Sequence, residues 1–271
     1  QACTTHQINL QPEPIIFSEK YITLDQTSPQ LELANWWERF DDDQLNQLII
    51  KALTQNLEIK QTYQRLLQAK ARISAAEALR LPQTNLSFDS NQSWRRNDDF
   101  DSNNKVTTGI NWVFDIFGRF RSAVIERQYQ LIASSEIYEL SRLETSMAVA
   151  FAYYGAAEQR KQIELLHYQA RIDQELLELI ELRFEHGIVS KVDVLQQKGQ
   201  LLEAMSLIPL AEAAAREFDN AIYLLLGETL SNHSYVSANT SFPRPTLIGL
   251  GIPAQLLEQR PDLRSHKAQL I

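Results

Sequence analysis

The spacing of hydrophobic residues changes period twice along this chain. Leu45, Leu48, Ile49, Ala52 and Leu53 recur at steps of three and four, which predicts a helix. Asp41-Asp42-Asp43 precedes it and suits a helix start, where carboxylates meet the positive end of the dipole. A second helix is predicted over roughly 56–80, ending before Pro82, so that helices occupy 42–80. The aromatic stretch Trp36-Trp37…Phe40 lies just upstream.

From 84 to 95 the period falls to two. Leu86, Phe88 and Trp94 share a face with Ser90 and Gln92, and Asn85, Ser87, Asp89, Asn91 and Ser93 oppose them. Residues 106–115 repeat the scheme, with Val106, Thr108, Ile110, Trp112 and Phe114 on one face. Alternation of this kind is the strand signal, and the polar stretch 97–104 reads as the loop of a β-hairpin spanning 84–115. Each strand has about the ten residues that a tilted transmembrane strand needs. Two strands cannot close a barrel, so a membrane role requires strands from elsewhere. Trp94, Trp112, Phe114 and Phe117 fall near the strand ends, where an aromatic girdle would lie.

Helical spacing then returns for more than a hundred residues. Helices are predicted over 118–185 and 190–227, about 100 Å and about 57 Å long at 1.5 Å per residue. One turn, Phe184 to Ser190, joins them. Leu140, Leu143, Met147, Phe151 and Tyr154 form a stripe, continued by Leu165, Tyr168, Ile172, Leu176 and Leu179. This is coiled-coil-like spacing, matched after the turn by Val192, Leu195, Leu202 and Met205. Pro209 is expected to kink the second helix and Gly227 to cap its end. A hairpin this long has to pack along its length on other helices, in its own chain or in copies of it.

The remaining segments are polar. Residues 1–35 read as an extended arm carrying the single cysteine, Cys3, which follows Ala2. A small residue before a lone cysteine fits a lipoprotein cleavage site, so Cys3 reads either as an acylated residue or as a free thiol on the terminus. Residues 230–253, with Pro243 and Pro245, read as a linker. Residues 254–271 faintly repeat the pattern around Leu53–Lys60. They read as the start of a second copy of the unit 36–229, cut off as it begins.

Composition narrows the function. The net charge is −8 and no Lys/Arg block could track phosphates, which argues against nucleic acid. No run approaches the ~18 apolar residues of a spanning helix, so membrane contact must come from strands or a lipid anchor. Glycine-loop, nucleophile-elbow and His-Glu-x-x-His motifs are absent, and the five histidines are scattered. The stretch starting at Asp99 begins like a calcium loop but puts Asn104 at the turn glycine and Ile110 at the bidentate glutamate. No enzyme activity, cofactor or metal site is expected.

Several motifs occur in one order. They are Trp36-Trp37…Phe40-Asp41, Trp112-Val113-Phe114-Asp115-Ile116-Phe117-Gly118-Arg119, Arg183-Phe184…Gly187…Ser190…Asp193-Val194-Leu195, Leu225-Leu226-Gly227 and Arg260-Pro261-Asp262-Leu263. The series resembles the outer membrane efflux proteins of the TolC family, most closely the lipoprotein branch that serves resistance–nodulation–division pumps. The resemblance implies a mainly α fold with a membrane β-hairpin, part of a homotrimeric tube whose β-barrel lies in the outer membrane and whose helical barrel lies in the periplasm. It implies a passive conduit, fed by an inner-membrane pump through a periplasmic adaptor. Leu86, Phe88, Trp94, Val106, Ile110, Trp112 and Phe114 would face outer membrane lipid. Arg183, Gly187, Ser190 and Asp193 would form the tip that meets the adaptor, and Cys3 would carry the lipid. The competing reading is a soluble coiled-coil scaffold or adaptor.

Overall fold

A computed structural model describes residues 35–95, 99–237, 239–242 and 259–270. A single 3-10 turn at Trp36–Phe40 leads into α1 (Asp43–Gln55) and α2 (Leu57–Ala78). The hairpin β1 (Gln83–Arg95) and β2 (Asp99–Asn111) follows. Then come α3 (Arg119–Glu185), α4 (Lys191–Leu226) and α5 (Pro261–Leu270). Cys3, the rest of the arm to residue 34, and 243–258 lie outside the described residues. The described residues fall into two compact units, one holding 62–138 and 259–270, the other 35–61 and 139–242.

In the second of these units, local chemistry sets the helix starts. Of the three aspartates, Asp42 is the cap: its Oδ1 accepts the backbone N–H groups of Gln44 and Leu45, both at 3.0 Å. Asn56 alone separates α1 from α2. Its Oδ1 accepts from Glu58 and Ile59 and its Nδ2 donates to the Leu225 carbonyl at 2.9 Å, so one amide caps α2 and ties it to α4. Gly227 ends α4 in the left-handed region, with φ 68°. The backbone N–H groups of Gly227 and Glu228 donate to the Leu224 and Tyr223 carbonyls, which closes the end in a Schellman motif. Pro209 lies inside α4, which continues on both sides of it.

The core of this unit joins α1, α3 and α4. Leu45, Ile49 and Ala52 meet Val149, Tyr153, Ala156 and Ala157, with Ile222 and Leu226 completing the cluster. Small and bulky residues alternate where α3 and α4 bury their faces, Ala152 and Ala156 beside Leu166 and Leu177 on α3, Ala204 and Ala215 beside Leu201 on α4. A Cβ on Gly155 would lie 2.6 Å from the Phe218 ring, so glycine is what lets that ring approach. Arg160 pairs with Asp219 at 2.5 Å, and both hydrogen-bond to Ser234. The stretch after α4, read as a linker, is therefore held down over 230–242. Tyr223 donates to the His233 carbonyl at 2.6 Å, Gln44 donates to the Tyr235 carbonyl, and Val236 is buried. Lys51 pairs with Glu228 at 2.6 Å beside the Tyr235 ring.

The other unit holds the hairpin. Tyr63 and Tyr138 stack at 5.7 Å between α2 and α3, and Arg264 of α5 reaches Glu136 of α3 at 2.6 Å. Pro261 occupies the first helical position of α5, where its missing N–H costs nothing. The two strands pair antiparallel in one unbroken register, Gln83 with Asn111 through Arg95 with Asp99. This corrects two sequence boundaries. Within the stretch 97–104, residues 99–104 are strand, because β2 already begins at Asp99; polar pairs such as Ser90–Asn104 and Asn91–Asn103 continue the ladder. The strand also ends at Asn111, so Trp112 and Phe114 belong to the connection into α3.

Candidate functional site

The candidate surfaces are those that each unit leaves uncovered. In the hairpin, register places Leu86 across from Thr108, Phe88 across from Val106 and Thr84 across from Ile110. Opposite strands of one sheet point partnered residues to the same side, so Leu86, Phe88, Val106 and Ile110 form one apolar band. The other side carries Asn85, Ser87, Asp89 and Lys105. The band is fully open: Leu86 is 77% and Ile110 76% exposed. It occupies the half of the hairpin next to the helices; the pairs Ser90–Asn104 and Gln92–Ser102 interrupt it before Trp94, which stands opposite Phe100. Gly109 leaves room on the polar side, where a Cβ would meet the Asn85 side-chain oxygen at 2.6 Å.

Trp112 and Phe114, taken from the sequence as strand residues, instead stack on each other at 4.3 Å beyond the strand. The Trp112 indole N–H donates to the Arg80 carbonyl at 3.1 Å, which ties the two strand–helix connections together. Asp115 starts α3: its Oδ2 accepts the Arg121 N–H at 2.9 Å. Desolvation raises its pKa, but the backbone N–H groups of Arg121, Phe120 and Arg119 and the charge of Arg80 outweigh it, leaving the carboxyl below its usual value. Gly118, at φ 74°, makes the turn between them.

The α3–α4 turn brings the four sequence-predicted tip residues together, each with a distinct part. Gly187 is left-handed, with φ 73° and open space around it. Its N–H donates to the Phe184 carbonyl and that of Ile188 to the Arg183 carbonyl, both at 2.9 Å, a second Schellman motif. Arg183 thus contributes its backbone to the turn and leaves its guanidinium in solvent. Ser190 and Asp193 form a capping box. The Asp193 Oδ2 accepts from the Ser190 N–H at 2.8 Å and its hydroxyl at 2.7 Å, while the Asp193 N–H donates to Ser190 Oγ at 3.4 Å. The Ser190 hydrogen bonds hold the Asp193 carboxyl below its usual range. Around this cap Leu182, Phe184, Ile188, Val192 and Leu195 are exposed, an apolar crown to which the sequence motif itself contributes only Phe184 and Leu195.

The long helices bury one face in this chain and leave much of the bulky stripe open. Met147, Phe151, Leu165, Tyr168, Ile172, Leu176 and Leu179 all lie in solvent, as do Val192, Leu195, Leu202 and Met205. The face α3 buries is the neighbouring one: Val149, Ala152, Tyr153, Ala156, Leu166 and Leu177. Phe151 is 73% exposed, whereas Tyr153 is 1%. The bulky stripe is a second face that this chain leaves uncovered along the helical hairpin.

Among the described residues no group of His, Cys, Asp and Glu could hold a metal, and no helix is long and apolar enough to cross a membrane. Asp42 is committed to its cap, and Tyr153 donates to it at 3.3 Å; burial, above all, raises that phenol to about 12.

A membrane-compatible hairpin joined to an unusually long helical hairpin defines the class. Residues 48–228 match the family described as outer membrane efflux protein, and the chain belongs to that family. Its relatives include nodulation protein T of Rhizobium leguminosarum bv. trifolii, 26% identical over 96% of this chain and 56% of that protein. The cation efflux system protein CusC of Escherichia coli K12 is 23% identical over 98% of this chain and 59% of its own length. The Campylobacter jejuni CmeC outer membrane channel shares the fold with a TM-score of 0.75 at 20% identity, over 97% of this chain and 59% of CmeC. A crystal structure of CusC superposes with a TM-score of 0.71 at 22% identity, over 93% of this chain and 60% of that chain. The chain thus spans little more than half the length of the relatives it matches.

Proposed function

We propose that the protein is the outer membrane channel of a tripartite efflux system, a passive trimeric conduit that performs no bond chemistry. The observation that carries this is the hairpin: two 13-residue strands with Leu86, Phe88, Val106 and Ile110 open on one side and Asn85, Ser87, Asp89 and Lys105 on the other. An isolated amphipathic hairpin is marginal in water. In a closed barrel every strand edge is paired, lipid covers the apolar band and water the polar side. Copies of the chain supply the remaining strands, and the uncovered stripe around Phe151 and Ile172 supplies the helix–helix contacts of a periplasmic tube. Family membership and the fold of CmeC support the same reading.

Within that reading, the turn with Arg183, Gly187, Ser190 and Asp193 and its apolar crown faces the periplasmic adaptor, which links the conduit to a resistance–nodulation–division pump. Cys3 carries a lipid that holds the protein to the outer membrane of a Gram-negative cell, and α5 opens a second repeat of the unit.

The test is extraction and oligomeric state of the full-length protein. A conduit stays with the outer membrane fraction until detergent is added and then runs as a trimer. A soluble monomeric rod in the absence of detergent would exclude the channel and favour a scaffold.

A further inference from the structure

The two strand–helix connections carry a feature that conduit function does not require. Leu79, Leu81, Trp112, Phe114, Ile116 and Phe117 are all exposed there, Phe117 at 84%. The same short segments, 79–82 and 112–121, hold three arginines, Arg80, Arg119 and Arg121, against one acid, Asp115. All three arginines are exposed, and none makes an ion pair among the described residues. Asp115 is committed to the start of α3 through the Arg121 N–H.

We propose that this collar binds the phosphate headgroups of anionic phospholipids in the membrane leaflet on the helix side of the hairpin. This rests on the channel reading given above. The collar continues the lipid band without a break, since Ile110 is followed at once by Trp112 and Phe114. Aromatic rings favour the level where hydrocarbon gives way to headgroups. Trp112 fits that level: its ring is half exposed while its N–H is already satisfied by the Arg80 carbonyl. That hydrogen bond also fixes the backbone of Arg80 beside the aromatic pair. A guanidinium fork matches a phosphate in geometry as well as charge. Three forks against one occupied carboxylate leave the collar cationic, although the chain as a whole carries −8. A soluble protein partner would also meet the cations, but it would have to cover an apolar surface continuous with the hydrocarbon band. A lipid satisfies both parts with one molecule.

Tryptophan quenching tests this on the full-length protein reconstituted in vesicles. A W94F background removes the tryptophan near the hairpin turn, and W94F/W112F gives the baseline. Vesicles contain equal mole fractions of brominated phosphatidylglycerol or brominated phosphatidylcholine. The expected result is an apparent local enrichment of phosphatidylglycerol at Trp112 of about fivefold or more, on the scale of one arginine near an anionic surface. Raising the salt should weaken the preference. The R80Q/R119Q/R121Q variant should lose the preference yet remain quenched by both lipids, and the triple lysine variant should keep part of it. Equal quenching by the two lipids in the W94F protein overturns the proposal even if the glutamine variant does not fold, and so does a preference that survives in the glutamine variant. Absence of quenching by either lipid overturns the membrane reading itself, and the collar with it.

Discussion

Tyr153 and Phe151 are two residues apart on α3 and belong to different problems. Tyr153 is sealed among Ile49, Val149 and Ile222, in a cluster the chain completes by itself. Phe151 belongs to an apolar stripe with nothing to cover most of it. The hairpin repeats the contrast in another form, with its two strands paired to each other in one unbroken register and an apolar band fully open. One region is stable through its own contacts. The other is a set of faces that this chain leaves open and that, in the proposed channel, lipid or further copies cover. Mutations of the same chemical size should therefore have different consequences in the two regions, and these can be ranked.

The largest expected effect is in the core. Tyr153→Ala removes a buried aromatic and should cost about 3–5 kcal/mol, seen as a lower midpoint of urea unfolding for every form of the protein. Phe151→Ala should leave that midpoint nearly unchanged in the dissociated chain but weaken the trimer in detergent. If both variants lower the monomer midpoint equally, the stripe is not an interface and the contrast fails.

Next comes the hairpin. Val106→Arg places a charge in the apolar band and should cost about 2–4 kcal/mol if the site lies near mid-membrane. Thr107→Arg, one residue on, points to the polar side and should be tolerated. Yield of folded trimer in the outer membrane fraction distinguishes them, and equal yields would show that the two faces do not meet different solvents.

A smaller effect belongs to the tip. Gly187→Val forces a β-branched residue to φ 73° with no steric neighbour to blame, so the penalty is backbone strain of about 1–2 kcal/mol or somewhat more. Loss of protection in hydrogen exchange over the turn should report it, with Tyr153 and its neighbours unaffected.

The sequence made the second region easier to read than the first. Period two exposed the faces of both strands, and Gly187, Ser190 and Asp193 announced the turn because each has a specific backbone task. Strand length was harder. Asp-Ser-Asn-Asn composition reads as loop, yet a ladder made of backbone hydrogen bonds continues through Ser90–Asn104 and Gln92–Ser102 whatever the side chains are. The helices were legible only in part. The bulky stripe with Met147, Phe151 and Ile172 stands out at helical spacing, while the face buried within the chain also uses Ala152, Gly155 and Ala156, whose small size allows close approach and gives a weak periodic signal. The segment 230–242 has no period at all. Ser234 and Tyr235 tie it down by single hydrogen bonds to Asp219 and Glu228, and such pairings are visible only in three dimensions.

The subtlest difference between the regions is in pH response. At the tip, Asp193 holds its carboxyl below the ordinary aspartate value because the Ser190 hydroxyl and N–H both donate to the charged form. A depressed carboxyl adds stability above its unfolded value and loses it as the pH falls through the folded value. Acidification should therefore loosen the first turn of α4 while the core, whose Tyr153 and Tyr154 stay neutral up to about 12 mainly through burial, does not respond. Because the box is exposed, the change should be local and the smallest of the four. Protection factors of amides 190–194, compared between neutral pH and a pH below the folded value, would measure it. Asp193→Asn keeps an acceptor but removes the titration, so it should flatten the pH dependence and leave a looser turn at neutral pH. Unchanged pH dependence in that variant would mean that another group governs the tip.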